Sequence, residues 1–124
     1  MADTWQAQDS FWNSFGLRAV DVNSEYLVDE IGFPHITYEA ASGVLDQSAN
    51  ISVSLWYYST SWMSISIKAN EIIEAVRNGV VIPLDTGYLW IKLPENTPVA
   101  SRMIGGNDDR YKRINLIFVV EFLK

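Results

Sequence analysis

The chain has 124 residues, 48% of them apolar, a formal charge of −6 and no cysteine. That length predicts a single domain spanning 1–124 with a core of its own. The missing cysteines exclude disulfides, thiolate nucleophiles and Cys-based zinc or iron–sulfur sites, and the acidic balance argues against binding to nucleic acid by phosphate neutralisation, which needs a concentrated basic face.

The opening residues "MADTWQAQDSFW" carry acids and no basic n-region, which predicts neither a secretory signal nor a transit peptide. Trp5, Gln8, Trp12 and Phe15 recur on one helical face and Gly16 follows as a stop, so a helix is expected over about 4–15. Residues 17–34 keep no period and include Asn23, Gly32 and Pro34, the composition of a loop. A strand is expected over about 35–42, "HITYEAAS", followed by Gly43 and the polar tip "DQSAN" at 46–50.

In "NISVSLWYYS" the alternation is clean. Ile51, Val53, Leu55 and Tyr57 share one side, and Ser52, Ser54, Trp56 and Tyr58 the other. With the preceding strand this reads as a hairpin. After Ser59 the period becomes helical: Trp62, Ile65, Ala69, Ile72 and Val76 fall on one face. Ser59, Ser61 or Ser64 can cap that helix, and Asn78-Gly79 can end it.

"VVIPLD" and "YLWIKL" predict two short strands, the first an edge strand because Pro83 cannot donate to a ladder. Residues 94–109 hold two prolines and Gly105-Gly106, and read as a long loop. The last element, "RYKRINLIFVVEFLK", predicts a strand over about 110–123 with Ile114, Leu116, Phe118, Val120 and Phe122 inward. Its other face, Arg113, Asn115, Ile117, Val119, Glu121 and Leu123, is half apolar. A sheet covered by helices on one side normally shows water a polar second side, so this surplus predicts a partner. No apolar stretch approaches the about 18–20 residues that span a membrane, which predicts a soluble chain.

Catalytic signals are sparse. His35 is the single histidine, beside Pro34, and a polar role at a strand end is its expected use. No Gly-x-Ser-x-Gly elbow is present. Asp108-Asp109 and Asp29-Glu30 are adjacent acids that converge poorly on one ion, and Glu71 and Glu74 fit an exposed helix surface. Gly105-Gly106 lacks the context of a phosphate loop. Neither a catalytic residue, a cofactor nor a metal is expected.

Two groups of residues invite contacts instead. Trp56 and Tyr58, with Ile117 and Val119, form the expected subunit interface, because amphipathic aromatics are favoured in interface centres. Arg102, Arg110, Lys112 and Arg113 form a basic cluster around the long loop, which fits a solvated loop or, as the sharper reading, a complement to an acidic surface on a neighbouring copy, with weak nucleic-acid contact third. The first 67 residues hold eight acids against the single base Arg18. Tyr57 and Trp62 belong to the core side.

The order of elements, with "FPHITYE" leading into a strand and "SLWYYSTSW" leading into an amphipathic helix, resembles the tail-terminator and tail-completion proteins of long-tailed phages and prophages, also labelled minor capsid or head–tail joining proteins. The resemblance covers roughly residues 5–123. It implies an α+β fold, a mixed or antiparallel sheet carrying helices on one face; with the elements read above, the expected fold is a mainly antiparallel sheet of about 4–5 strands with an amphipathic helix and a short N-terminal helix on one face. It further implies a non-enzymatic virion structural protein that forms a hexameric ring, caps the tail tube and joins it to the head. Its partners would be like copies, the tail tube protein and the head–tail connector. DNA would pass through without specific binding, no membrane would be involved, and the ring would assemble in the host bacterial cytoplasm. A neck or head–tail adaptor and a small cytoplasmic binding module are the alternative readings, and a carboxylate-dependent enzyme comes last.

Overall fold

The computed structural model of the protein describes residues 4–22, 32–40, 48–95, 97–104 and 108–123. In chain order these form α1 (Thr4–Asn13), β1 (Arg18–Asp21), β2 (His35–Tyr38), β3 (Ser48–Tyr58), α2 (Met63–Val76), β4 (Val80–Leu84), β5 (Gly87–Lys92), β6 (Ala100–Ile104) and β7 (Tyr111–Leu123). The strands build one sheet in the order β1-β2-β3-β7-β5-β4, and β6 also pairs with β7.

β7 organises the sheet. Along one edge it runs antiparallel to β3 from Tyr58↔Tyr111 to Ser48↔Glu121. Along the other, β5 takes residues 119–123 and β6 takes 112–116. The alternation of apolar residues decides which way β7 faces, because side chains two apart share a face. Ile114, Leu116, Phe118, Val120 and Phe122 are buried on the inner face with Ile51, Val53 and Leu55 of β3 and Leu89 and Ile91 of β5. The odd-numbered residues of β7 stay partly or fully exposed on the outer face.

Both helices pack on the inner face. α2 buries Ile65, Ala69, Ile72 and Val76, the stripe expected from its period. At its start, Met63 N–H donates to Ser61 Oγ and Ser61 N–H donates to Ser59 Oγ, while Trp62 holds the N-cap position without a side-chain bond. At its end Gly79 is obligatory on two counts: its φ is +82°, and a Cβ there would meet Trp90 Nε1 at 2.7 Å. In α1 the buried residues are Ala7, Gln8 and Trp12, whereas Trp5 turns to solvent. Trp12 stacks on Phe118 with centroids 5.7 Å apart and approaches Tyr38. Lys68 Nζ donates to the Phe15 carbonyl at 2.7 Å and ties α2 to the end of α1.

This architecture corrects the expected fold class. Among the described residues the chain is mostly strand, and the sheet there is a curled, mixed half-barrel of seven strands with two helices, in place of a mainly antiparallel sheet of about 4–5 strands. Two strands account for the difference. β1 lies in the segment expected to be a loop, and it pairs parallel to β2 from Arg18↔His35 to Asp21↔Tyr38. Four residues are too few to show a period. β6 lies inside the expected 94–109 loop; its first three residues are exposed at the sheet border, so no alternation marks it. β3 also begins earlier than expected, with Ser48, Ala49 and Asn50 paired to β7 where a loop tip was predicted.

Trp12 gives a direct test of the packing. Its side chain is fully buried, yet its indole N–H has no hydrogen-bond partner among the described residues. Trp12→Ala removes the whole ring and is expected to cost about 3–5 kcal/mol. Trp12→Phe also removes the unpaired donor, whose burial opposes folding, so its expected cost is below about 2 kcal/mol. Urea unfolding midpoints of the two variants check this, and equal costs would contradict the stated role of the orphaned N–H.

Candidate functional site

No element among the described residues packs across the outer face of β3 and β7, and its two ends differ in character. At one end, pairing sets His35 beside Trp56, Trp56 beside Arg113, and Tyr58 beside Tyr111. At the other, Ile117 lies opposite Ser52 and Val119 opposite Asn50 and Lys92. The four expected interface residues Trp56, Tyr58, Ile117 and Val119 therefore share a single face. Tyr58 is 44% exposed, and the other three are half-buried.

Around Trp56 the face is a fixed polar network. Trp56 Nε1 donates to Thr37 Oγ1 at 2.8 Å, Arg113 Nε donates to Ser54 Oγ at 3.0 Å, and Ser54 Oγ donates to Asn115 Oδ1 at 3.0 Å. The Trp56 ring stacks on His35 with planes 13° apart, and the Arg113 guanidinium lies 4.7 Å from its centroid. These partners hold the indole in one orientation, the condition for a rigid contact anchor.

Towards the end of β3, Phe33, Pro34, Tyr57, Tyr58 and Tyr111 line an open groove of about 420 Å³. The Phe33–Pro34 peptide bond is cis. Tyr58 and Tyr111 have centroids 4.7 Å apart, and Phe33 is 5.6 Å from Tyr111. Arg110 lies over Tyr58 at 5.0 Å and forms paired hydrogen bonds of 3.0 Å to Asp108. Partial desolvation raises the Tyr58 phenol above its ordinary range, and Asp108 adds to this against the opposing Arg110 charge. Tyr111, Phe33 and Pro34 were not singled out as contact residues from the sequence. The signal was available for Tyr111, which has the same strand parity as Arg113.

The basic residues do not form one cluster. Arg102 and Lys112 reach the inner side, where their cationic groups lie 5.2 and 5.4 Å from the Trp62 ring. Lys112 is buried and its ammonium donates to the Asp109 carbonyl. Arg110 covers Tyr58 and Arg113 covers Trp56 on the outer side. Each cation thus rests on an aromatic face, an attraction of about 0.5–1 kcal/mol where exposed. Strand alternation is the cause, since it sends residues 112 and 113 to opposite faces. Tyr57 and Trp62 are half-buried against the core.

The remaining sequence candidates occupy ordinary settings. Glu71 pairs with Lys68, and Glu74 with Arg77, on the exposed side of α2. Asp29-Glu30 and Gly105-Gly106 lie outside the described residues. Among the described residues no group of three or more acidic or histidine side chains is placed to hold a metal ion. No protein-family model, curated protein or solved structure matches the chain.

Two titrations follow from this geometry. The Arg110 side chain, helped by the Arg110 backbone N–H, holds the Asp108 carboxyl down at about 2. An NMR titration is expected to place its midpoint near that value, so that the Asp108–Arg110 contact survives at pH 3; a midpoint near the ordinary 3.8 would contradict it.

His35 Nδ1 lies 2.8 Å from the Gly32 carbonyl, which can only accept, so Nδ1 carries its hydrogen and Nε2 is the nitrogen that titrates. Burial lowers the His35 pKa below 6.5 despite that bond. The unfolded chain then takes up the proton more readily than the folded one, so His35 withdraws stability as pH falls through its unfolded value towards the lower folded one. Between pH 7 and 5 the urea midpoint of the parent is expected to fall more steeply than that of His35→Gln. Parallel slopes would contradict this.

Proposed function

We propose that the protein is a virion structural protein of the tail-terminator or tail-completion type, a non-enzymatic subunit that assembles with like copies into a ring at the tail–head junction. The observation that carries this reading is the outer face itself. Trp56, Tyr58, Ile117 and Val119 lie together on a side of the sheet that no helix covers among the described residues. Val81 and Tyr88 extend the same face and are 56% and 48% exposed. Exposed apolar and aromatic side chains gathered on one face, here interleaved with polar Ser54, Asn115 and Arg113, mark protein contacts.

A ring requires each subunit to present two different surfaces that meet heterologously and close by rotation. The outer face supplies one. The rigid indole of Trp56 and the paired tyrosines supply large contact area at low entropic cost. The acid excess in the first half of the chain lets charge help set orientation and rate. In this reading the ring caps the tail tube, meets the head–tail connector and leaves a negatively charged passage that DNA crosses without adhering.

Native mass measurement across a concentration series tests the proposal. A discrete oligomer near the hexamer is expected. Val119→Glu puts a carboxylate into the contact, at a half-exposed position opposite Lys92, whose ammonium already pairs with Glu121. It is expected to weaken assembly at least about tenfold without lowering the unfolding free energy from urea titration by more than about 1 kcal/mol. A single-chain mass at every concentration, or full assembly of Val119→Glu, would contradict the proposal.

A further inference from the structure

The three strands at the borders of the sheet are finished differently. In β1 the backbone of Ala19 points away from β2, and the Asn13 side chain takes both groups: Ala19 N–H donates to Asn13 Oδ1 at 2.9 Å, and Asn13 Nδ2 donates to the Ala19 carbonyl at 3.1 Å. In β4 the outward positions include Pro83, which has no N–H to offer. β6 has neither device. Ile117 N–H donates to the Val99 carbonyl at 2.9 Å, which fixes the ladder so that Ser101 and Met103 bond towards β7 while Ala100 and Arg102 turn their backbone groups outward. β6 pairs with no other described strand.

The space beside this open edge has a shape. β5 and β6 follow one another along β7, and β4 flanks β5 alone, so the row next to β6 holds no described strand. There, Ser66, Ala69, Asn70 and Ile73 of α2 face Ala100 and Arg102 of β6 across an open notch of about 220 Å³. Arg102 is exposed and makes no ion pair with a described carboxylate; its guanidinium and the Lys112 ammonium share the Trp62 ring. That end of the notch is therefore positive, and the rest of its lining mixes the apolar Ala69, Ile73 and Ala100 with the polar Ser66 and Asn70.

We propose that β6 and α2 form a docking groove for an extended acidic segment of a partner protein, which adds to β6 as an antiparallel strand. Main-chain hydrogen bonds to Ala100 and Arg102 supply the affinity. Side chains at alternate positions supply the selectivity, as in other strand-addition sites. The residue opposite Arg102 is an Asp or Glu, and the residue two further on is a small apolar one that enters the notch between Ala100 and Ile73. A second copy pairing through β6 is the poorer occupant, because the central register would set Arg102 against Arg102. The groove is separate from the outer face, and its occupancy does not depend on ring formation.

Titrating the full isotope-labelled chain with the capped peptide acetyl-Thr-Glu-Thr-Val-Thr-amide, followed by amide NMR, tests this. Saturable shifts are expected in residues 100–102, with hydrogen exchange slowed at least tenfold at Ala100 and Arg102 and little changed at Ser101. Replacing the peptide's Glu with Lys is expected to weaken binding about two- to fivefold, and Arg102→Glu in the protein is expected to invert that preference. The proposal is overturned if β6 does not respond at millimolar peptide or if a backbone N-methylated peptide binds equally well. Shifts confined to Tyr58 and Tyr111, or protection of β6 without peptide as chain concentration rises, would overturn it as well.

Discussion

The structure depends on one strand satisfying two edges and two faces at once. β7 bonds to β3 along its whole length and divides its other edge between β5 and β6. Its even-numbered residues form the floor of the core, against which Trp12 of α1 and the apolar stripe of α2 are packed. A shift of β7 by one residue would carry Phe118 and its neighbours to the outer face and bring Glu121 and Arg113 inward. The energetic cost of that exchange fixes the register, and the register fixes which side chains the molecule shows.

What it shows follows from the same alternation. A purely structural outer face would be polar, yet β3 and β7 place Trp56, Tyr58, Tyr111, Ile117 and Val119 there. The cations are distributed to match. Arg113 lies over Trp56, Arg110 over Tyr58, and Arg102 and Lys112 over Trp62. Placing charge on aromatic faces keeps large rings compatible with water in the lone subunit.

The legible parts of the sequence were those whose burial is periodic. The alternation from Ile51 to Tyr57 and from Ile114 to Phe122, and the helical stripe from Ile65 to Val76, each correspond to an element whose one face is committed to the core. β1 and β6 were not legible because they are short and sit at borders: β1 is completed by Asn13 and by pairing with β2, and β6 by pairing with β7. Sequence spacing also grouped Arg102, Arg110, Lys112 and Arg113. Adjacent residues on a strand point to opposite faces, and the fold divides this group between two sides. The shared face of Trp56, Tyr58, Ile117 and Val119 could be read because it needs parity and an antiparallel pairing. The groove with Phe33 and Pro34 needed the tertiary placement of residues preceding β2.

The proposed ring makes the outer face of β3 and β7 a contact between protein chains. Oxidative footprinting of the protein across a concentration series, read residue by residue, tests that most directly. Labelling of Trp56, Tyr58 and Ile117 is predicted to fall as the chain is concentrated, while Met63 and Ile67, exposed on α2, keep constant rates. Constant labelling of the outer face at all concentrations, or protection confined to α2, would contradict it.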